Sequence, residues 1–582
     1  MREFVEQVAS WMLATPTTGP QSRCGAVAGL GVEAHGAAEE RGRIGHGCRD
    51  APGVVSNVGC SRRDGEVPVE GRQRVREGGR RRRSASATPN RRSHRYRSLT
   101  SPFAPLELLS ADEVAHLHAA ALEILRQHGI RVLLPEARAI LRAAGALVDD
   151  ESELVRFEAE LVEQAVASAP TTFELLGRSP ERNVTVGGRH LAIVPVSSPP
   201  AVSDLDGGKR DGNLADFQDL VRLTQHFDVI HLTGPCVEPQ DVPLPLRHLQ
   251  SGLAYLTLTD KVPYLYARGR GQVADGFEMF RIGYGIDANT FASAPRCYTV
   301  INSNSPRQLD VPMCMGLIDF AAAGQMSVIT PFTLAGAMAP VTLAGALTLQ
   351  HAEALAAITL TQAVRPGAPV VYGAFTSNVD MKSGAPAFGT PEYFKAAVAG
   401  GQLARHVGLP YRSSAPNASN APDAQAMYET MMSLFGAVLG GCNVLLHAAG
   451  WLEGGLTASK EKFILDVEVL QMLAETFQPF VVDDAEIGLD VIGETAPGGH
   501  FFGGAHTLER YRTAFYEPLV SDWANYGQWV EAGSRDATQR ANETWKRVLA
   551  GFEPPALDDT IAAELHEFVA RRTAEGGAPP ES

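Results

Sequence analysis

Hydrophobic and polar positions begin to alternate with a helical period near residue 103. Apolar residues recur every three or four positions after Ser110, and Ser110 and Glu113 have the spacing of a capping box. Gly129 suits the end of this helix. Two further helices are predicted over 135–144 and 158–167. A β-hairpin with a Gly-Gly turn is predicted next, in the run NVTVGGRHLAIVP.

Short apolar runs then alternate with longer helical stretches from about residue 213. The predicted strands are Val229–Leu232, Val262–Ala267, Cys297–Ile301, Ser327–Pro331, Pro369–Tyr372, Leu409–Arg412, Val444–Leu446 and Phe480–Val482. Helices are predicted over 214–226, 343–362 and 391–406, and more of them over 508–572, where Trp523, Trp529 and Trp545 are candidate packing anchors. This alternation is typical of an α/β protein and predicts a (β/α)8 TIM barrel with an N-terminal helical segment and C-terminal helices. A doubly wound open sheet is the alternative, but no GxGxxG motif follows the first strand.

The first hundred residues have a different composition. They are rich in Arg, Gly and Ser and carry 18 Arg and no Lys against 10 Asp and Glu, a net charge of +8, whereas the whole chain has −15. Without apolar periodicity they cannot bury enough surface to offset chain entropy. We interpret 1–100 as a disordered basic extension, either a basic segment for RNA or a membrane surface or a stretch upstream of the true start. Residues 101–575 form the predicted folded domain, and 576–582 a disordered tail.

Composition argues against several classes of protein, namely nucleic-acid-binding, membrane-spanning and disulfide-rich proteins. The acidic main body is a poor candidate for binding nucleic acid. No run approaches the roughly 18 apolar residues of a membrane span, so no membrane association is predicted. The seven cysteines are scattered without a CxxC pair, which argues against a disulfide framework or structural zinc and suits the cytoplasm.

Small, neutral, hydrogen-bonding residues follow several predicted strands. They include Asn302 and Asn304 after one strand and Asn417 after another. In parallel α/β barrels the loops after the strands carry the chemistry. These loops lack the Lys and Arg that clamp phosphates and the dense carboxylates that hold magnesium. The alternative is that Ser, Asn and Gly simply form good turns.

The loop after the strand Val444–Leu446 holds an imidazole, an indole and a carboxylate. His447 is either a core histidine or a substrate hydrogen-bond partner. Trp451 either packs or faces a bound cation. Glu453 either caps the next helix or offsets a positive charge. Neither an HExxH zinc motif nor a GxSxG elbow is present, so a zinc protease and an α/β-hydrolase are disfavoured.

Three runs carry a resemblance to a known family. They are LAGAMAPVTLAGALTLQHAEALAAITLTQAVRPGAPVVYG (334–373), NAPDAQAMYE (420–429) and GWLEGGLTASKEKFILDVE (450–468). The chain resembles the trimethylamine methyltransferase (MttB-type) family over about 103–570. The resemblance implies a TIM barrel that moves a methyl group from a methylated amine to the Co(I) of a separate corrinoid (cobalamin) protein. No tightly bound cofactor or metal is expected, since the partner supplies the corrinoid.

One position departs from the trimethylamine-using members, which carry pyrrolysine at about Pro416 or Asn417. Only standard residues occupy this loop here. A quaternary ammonium leaves as a neutral tertiary amine and needs no such electrophile, and pyrrolysine-lacking members include enzymes that use glycine betaine. The resemblance therefore implies a methyltransferase for a quaternary or tertiary methylated amine, such as glycine betaine, that works by orienting its substrate without a side-chain nucleophile.

The implied substrate site combines a cation face with polar partners. Its candidate residues are His447, Trp451, Glu453, Asp204, Asp206, Asn302, Asn304 and Asn417. Trp451 would face the cation, His447 would orient the substrate, and Asp204 or Asp206 would contact the ammonium. A homo-oligomer is also expected. The rival hypotheses are a non-catalytic quaternary-amine-binding protein on the same scaffold and an unrelated barrel enzyme such as a lyase.

Overall fold

The structure is a computed structural model that describes residues 96–581. The predicted extension lies outside the described residues except for its last five, and these belong to the folded part. Tyr96 is buried, and Leu99–Thr100 pairs antiparallel with His190 and Leu191. The folded region therefore begins before the predicted boundary at residue 101.

Helices are the most abundant secondary structure of the described chain. Their bounds are Ala111–Gln127, Pro135–Ala143, Ala159–Ser168, Leu214–His226, Leu244–Leu258, Arg270–Tyr284, Ala288–Ser293, Val311–Ala322, Leu343–Val364, Pro391–His406, Ala424–Leu439, Lys460–Thr476, Asp484–Ile487, Leu489–Glu494, Ala505–Arg510, Tyr526–Glu531, Ala537–Ala550 and Asp559–Ala574. The capping box predicted at Ser110 is confirmed: the Ser110 hydroxyl accepts from the Glu113 backbone, and the Glu113 carboxylate accepts from the Ser110 backbone.

A seven-stranded central sheet organises the fold. In spatial order its strands are Leu99–Thr100, His190–Ile193, Val444–Leu446, Tyr411–Ser414, Val370–Gly373, Met326–Ile329 and Tyr298–Ile301. All neighbours pair in parallel except the first two. Parallel strands connected through helices are buried on both faces, which explains why they appear in the sequence as short apolar runs. The protein thus has a mixed α/β fold.

Two extended segments lie between the strands His190–Ile193 and Tyr298–Ile301 of this sheet. The first includes His231, whose backbone N–H donates to Ile193 O at 2.8 Å. It meets the second through a parallel bridge between Leu232 and Val262, and the second meets the sheet through a parallel bridge between Tyr264 and Tyr298. These segments correspond to the predicted strands Val229–Leu232 and Val262–Ala267, although only isolated bridges form there.

Smaller sheets surround the central one. Two of them are formed by Ile130–Val132, Leu147–Asp149, Leu154–Arg156 and Gln308–Leu309, and by Ala201–Asp204, Gly208–Asp211, Trp451–Leu452 and Thr457–Ser459. Leu334–Ala335, Ser377–Val379 and Pro386–Ala387 form a third. In the fourth of these smaller sheets, which has two strands, Thr172–Leu175 pairs with Val184–Gly187. The predicted hairpin across Gly187-Gly188 is therefore wrong, because the strands on either side of that turn join different sheets.

The helix Leu343–Val364 forms the centre of the helical layer. By length and composition it is the one helix among the described residues that could cross a membrane, although Gln350, His351 and Glu353 interrupt its apolar residues. However, 83% of its most apolar 18-residue window is buried inside the protein. Helices Ala111–Gln127, Ala159–Ser168 and Val311–Ala322 pack against it.

Three predictions near the C-terminus differ from the structure. Phe480–Val482 is not a strand, and Phe480 is 88% exposed. Trp523 is exposed, whereas Trp545 is buried as an anchor and donates to Glu461. The predicted disordered tail also differs, because Ala578 is buried and its backbone N–H donates to Pro245 O. Short apolar runs do not reveal whether another element will cover them.

Candidate functional site

The loop after the strand Val444–Leu446 begins with a strained residue. His447 has a φ of 56°, in the left-handed region that residues other than Gly adopt only in a few per cent of cases. Its imidazole is buried. Strain of this kind persists only where the surroundings enforce it, and it is concentrated at functional sites.

A buried arginine contacts this histidine from the neighbouring strand. Arg412, in Tyr411–Ser414, is only 1% exposed. Its Nη2 lies 3.2 Å from Nε2 of His447, and its Cζ lies 5.0 Å from the centroid of the Phe375 ring. Its Nε and Nη1 have no hydrogen-bond partner, and within the described chain it forms no ion pair with a carboxylate. A buried, unpaired guanidinium is costly, so it points to an anionic ligand.

The protonation states follow from this contact. Burial lowers the pKa of Arg412 to about 10, which leaves it charged at neutral pH. Burial and the Arg412 charge hold the pKa of His447 well below its usual value. Neutral His447 accepts from Arg412 through Nε2, so its proton is on Nδ1, which also has no partner. Arg412 and His447 together present three unpaired donor nitrogens.

Aromatic rings from several strand-end loops lie beside these donors. Phe375 and Phe388 stack with centroids 5.3 Å apart, and Trp451 meets both edge-on at 6.4 and 6.3 Å. The imidazole of His447 lies 4.1 Å from Trp451. Phe332 extends the stack, 5.0 Å from Phe375. Aromatic faces attract cations, so this cluster and Arg412 are suited to the two ends of a zwitterion.

Asn417 holds Trp451 in position. Its Nδ2 donates to Trp451 O at 2.6 Å, and the indole Nε1–H of Trp451 donates back to Asn417 O at 3.0 Å. Asn417 also donates to the hydroxyl of Thr430, which accepts from Nζ of Lys462. Lys462 forms a buried ion pair with Asp466, and Asp466 accepts from the backbone of Gly450. This network connects the loop that carries Trp451 to the following helix.

The predicted carboxylates have partners of their own. Asp204 pairs with Arg210 at 2.8 Å, and Asp206 pairs with Lys546 at 2.5 Å. Glu453 accepts from Lys209 at 2.5 Å and from Thr457 at 2.6 Å. The structure thus brings none of these three charges into contact with His447 or Trp451. Their predicted roles remain untested, and each carboxylate already has a structural role.

The three predicted asparagines differ in their surroundings. Asn417 contacts Trp451 as described above. Asn304 exchanges hydrogen bonds with Asp310, the residue that caps the helix Val311–Ala322, and Asn302 is exposed. Of the eight predicted site residues, the structure brings together His447, Trp451 and Asn417.

Several residues of this site were missed from the sequence. Arg412 was assigned only to a strand, although a charged residue inside a buried apolar run is itself a functional signal. Phe375 follows the predicted strand Pro369–Tyr372, but it was not assigned to the site. No sequence pattern marked Phe388 as a site residue, because an isolated phenylalanine is typical of a hydrophobic core. Among the described residues, no group of three or more His, Cys, Asp or Glu side chains is arranged to hold a metal ion.

Comparisons with known proteins point to one family. The family model for trimethylamine methyltransferase (MTTB) matches residues 76–577. Glycine betaine methyltransferase of Desulfitobacterium hafniense (strain Y51) is 37% identical over 472 residues, covering 81% of this chain and 98% of that protein. Trimethylamine methyltransferase MttB of Desulfitobacterium hafniense (strain DSM 10664 / DCB-2) is 29% identical, covering 80% and 94%.

A solved structure is also similar. The monomethylamine methyltransferase MtmB of Methanosarcina barkeri covers 76% of this chain and 93% of its own, with 9% identity and a TM-score of 0.41. The family model covers far more than half of the chain, and a relative at 37% identity spans most of it. The chain belongs to the trimethylamine methyltransferase (MTTB) family.

Proposed function

We propose that this protein transfers a methyl group from glycine betaine, or a closely related quaternary amine bearing a carboxylate, to the Co(I) of a corrinoid protein. The observation that carries the proposal is the unpaired Arg412 guanidinium buried beside an aromatic cluster. The relative with 37% identity is a glycine betaine methyltransferase, which supports this substrate.

The substrate carboxylate would bind the free donors of Arg412 and His447. A carboxylate accepts two hydrogen bonds from a guanidinium in a fixed geometry, and desolvation strengthens the contact. No other anion among the described residues competes for these donors. His447 supports the pair as a neutral donor, because a second cation beside Arg412 would be repelled.

The trimethylammonium group would lie against the rings of Phe375, Phe388 and Trp451. These rings stabilise the cation without forming a bond to it. The Asn417 contacts fix the orientation of Trp451 and hence the direction in which the methyl groups point. Orientation is the main contribution to catalysis, since a well-placed methyl group removes much of the entropic cost of the reaction.

The transfer itself requires no proton. The carbon–nitrogen bond breaks, its electron pair stays on nitrogen, and a neutral tertiary amine leaves. The cobalt(I) of the acceptor supplies the pair of electrons for the new cobalt–carbon bond. The residues of this chain bind and orient the amine, and none forms a covalent intermediate. The standard residues at Pro416 and Asn417 are consistent with this chemistry.

The architecture in this proposal is a closed (β/α)8 barrel with the site at the carboxyl ends of its strands. The parallel central sheet supports closure, as do the two segments whose bridges connect Ile193 to Tyr298. A cytoplasmic location is part of the proposal, and it suits Cys236, Cys297, Cys314 and Cys442, which are buried thiols without disulfide partners.

The direct test is an anaerobic assay with the full chain, glycine betaine and free cob(I)alamin. We expect methylcobalamin and dimethylglycine in equal amounts. Absence of methylcobalamin with glycine betaine and with every member of a panel of quaternary amines would refute methyl transfer. Calorimetry then separates the rival function, since betaine binding without transfer identifies a binding protein.

A further inference from the structure

Residues 479–535, called the arm here, form an exposed segment between the helices Lys460–Thr476 and Ala537–Ala550. Val520 is the one buried residue of the arm. The arm is attached at that point, where the backbone N–H groups of Leu519 and Val520 donate to the Glu468 carboxylate at 2.6 and 2.7 Å. Elsewhere it lies on the outside of the fold.

Four short helices in the arm have no buried residue. They are Asp484–Ile487, Leu489–Glu494, Ala505–Arg510 and Tyr526–Glu531. Isolated helices shorter than about 12 residues are marginal in water even with favourable sequences. Helical stability in proteins comes mostly from packing an apolar face. Within the described chain the helices Asp484–Ile487 and Ala505–Arg510 contact each other through polar groups, from Arg510 to Glu486 and from His506 to Ala485 O, without burying a residue. They therefore require a covering surface.

The arm exposes a large apolar area. Seven aromatic residues are each between 46% and 88% exposed, namely Phe480, Phe501, Phe502, Tyr511, Phe515, Trp523 and Tyr526. At roughly 200 Å² per aromatic side chain, these exposed fractions amount to about 1,000 Å². The largest apolar patch of a typical monomer is only about 300–600 Å². A stable dimer needs about 800 Å² from each partner, which the arm alone supplies.

A second apolar surface lies on the helix Ala424–Leu439. Tyr428, Met431, Met432 and Phe435 recur at helical spacing and are between 38% and 58% exposed. The other exposed residues of this helix are Ala424 and Gln425, so its outer face carries no charge. A helix face directed at water normally carries charged residues. Four adjacent apolar side chains without charges are typical of a covered face.

Both surfaces flank the same helix. Glu468 of Lys460–Thr476 holds the arm, and Lys462 of that helix donates to Thr430 of Ala424–Leu439. The molecule thus has an exposed apolar segment and an exposed apolar helix surface, and both elements contact the helix Lys460–Thr476. Such a pair is self-complementary, and two copies related by a two-fold axis would satisfy both surfaces twice.

We propose that the arm of one copy packs on the helix Ala424–Leu439 of a second copy, forming a two-fold dimer. The occupant of each surface is therefore another copy of this chain. The interface uses the exposed residues of the helix, whereas Arg412 and His447 are buried, and it does not depend on the proposed function.

Sedimentation equilibrium of the full chain tests the dimer. We expect a mass of two 62.2 kDa chains. Met431→Glu with Phe435→Glu on the helix, and separately Phe502→Asp with Phe515→Asp on the arm, should each give single chains with an unchanged circular dichroism spectrum. Leu147→Asp, at an exposed leucine outside both surfaces, is the matched control and should stay dimeric. A wild-type mass of one chain would overturn the proposal.

Cross-linking identifies the contact without weakening it. A photo-reactive benzophenone side chain replaces Phe435, and unlabelled and ¹⁵N-labelled chains are mixed, dissociated and reassociated before irradiation. We expect cross-links to residues of the arm that join a light peptide to a heavy one. Cross-links confined to single chains would mean that the arm covers its own helix. Cross-links to other segments would likewise refute the proposed contact.

Discussion

At the scale of single residues, Arg412 determines what the candidate site can bind. A buried guanidinium with two free nitrogens requires an anion, and the adjacent rings of Phe375 and Trp451 favour a cation. Because the anion-binding arginine and the cation-binding rings lie side by side in one site, the site suits a zwitterion. An amine without a carboxylate would leave the guanidinium unpaired, which is expensive in a buried environment.

Arg412→Met should therefore discriminate between substrates. We expect kcat/KM for glycine betaine to fall by about 10²–10³, since loss of one partner of a buried charge pair costs roughly 2–5 kcal/mol. Activity with tetramethylammonium, which has no carboxylate, should change much less. Methylcobalamin formation measures both rates. Arg131→Met, at an exposed arginine, is the control, and equal losses for both substrates would contradict carboxylate binding by Arg412.

Protonation of His231 should make the free energy of unfolding depend on pH. Its Nδ1 accepts from the backbone of Ile193 at 3.0 Å, and its Nε2 lies 2.8 Å from Tyr96 O, so only the neutral ring satisfies both contacts. Burial, followed by the Lys261 charge, lowers its pKa to about 4. Because the folded pKa is depressed, the contribution is fully present above about pH 6.5 and is lost as pH falls towards 4.

We expect His231→Asn to flatten this dependence. Between pH 7.5 and 5.0 the free energy of unfolding of the wild type should fall by about 2 kcal/mol more than that of the variant. Urea unfolding at the two pH values measures the difference. His116→Asn, at an exposed histidine, should behave like the wild type. Parallel slopes for His231→Asn and the wild type would contradict a buried neutral imidazole.

At the scale of elements, local sequence accounts well for the helices. Predicted helices 214–226 and 391–406 match Leu214–His226 and Pro391–His406, because capping and apolar periodicity act within a few residues. Strands were predicted less reliably. Phe480–Val482 was wrong and the strand His190–Ile193 was assigned to a hairpin, since pairing depends on partners far along the chain.

The cap at Ser110 offers a quantitative test of this local control. Ser110→Ala should lower the free energy of unfolding by about 1 kcal/mol, because the backbone of Glu113 loses its acceptor. Ser179→Ala is the matched control, since Ser179 precedes a short helix without a side-chain capping bond. Urea unfolding compares the variants, and equal effects at both serines would refute a capping contribution.

At the scale of the whole molecule, the proposed dimer would make the stability of each chain depend on association. Folding and association are coupled when a partner covers an apolar surface, so the melting temperature should rise with protein concentration. Differential scanning fluorimetry over a hundredfold concentration range tests this expectation. The variant with Met431→Glu and Phe435→Glu should show a melting temperature independent of concentration. An independent melting temperature in the wild type would exclude coupled association.

The sequence by itself determined many of the helices, most of the buried strands and the family, and it predicted a substrate site in the loop that holds His447 and Trp451. These features depend on short-range periodicity or on contiguous runs of residues. Only the tertiary structure decided that Arg412 is unpaired, that Phe375 and Phe388 lie beside Trp451, and that Asp204, Asp206 and Glu453 have other partners. Pairing and desolvation arise from residues far apart in the chain, so no local pattern records them.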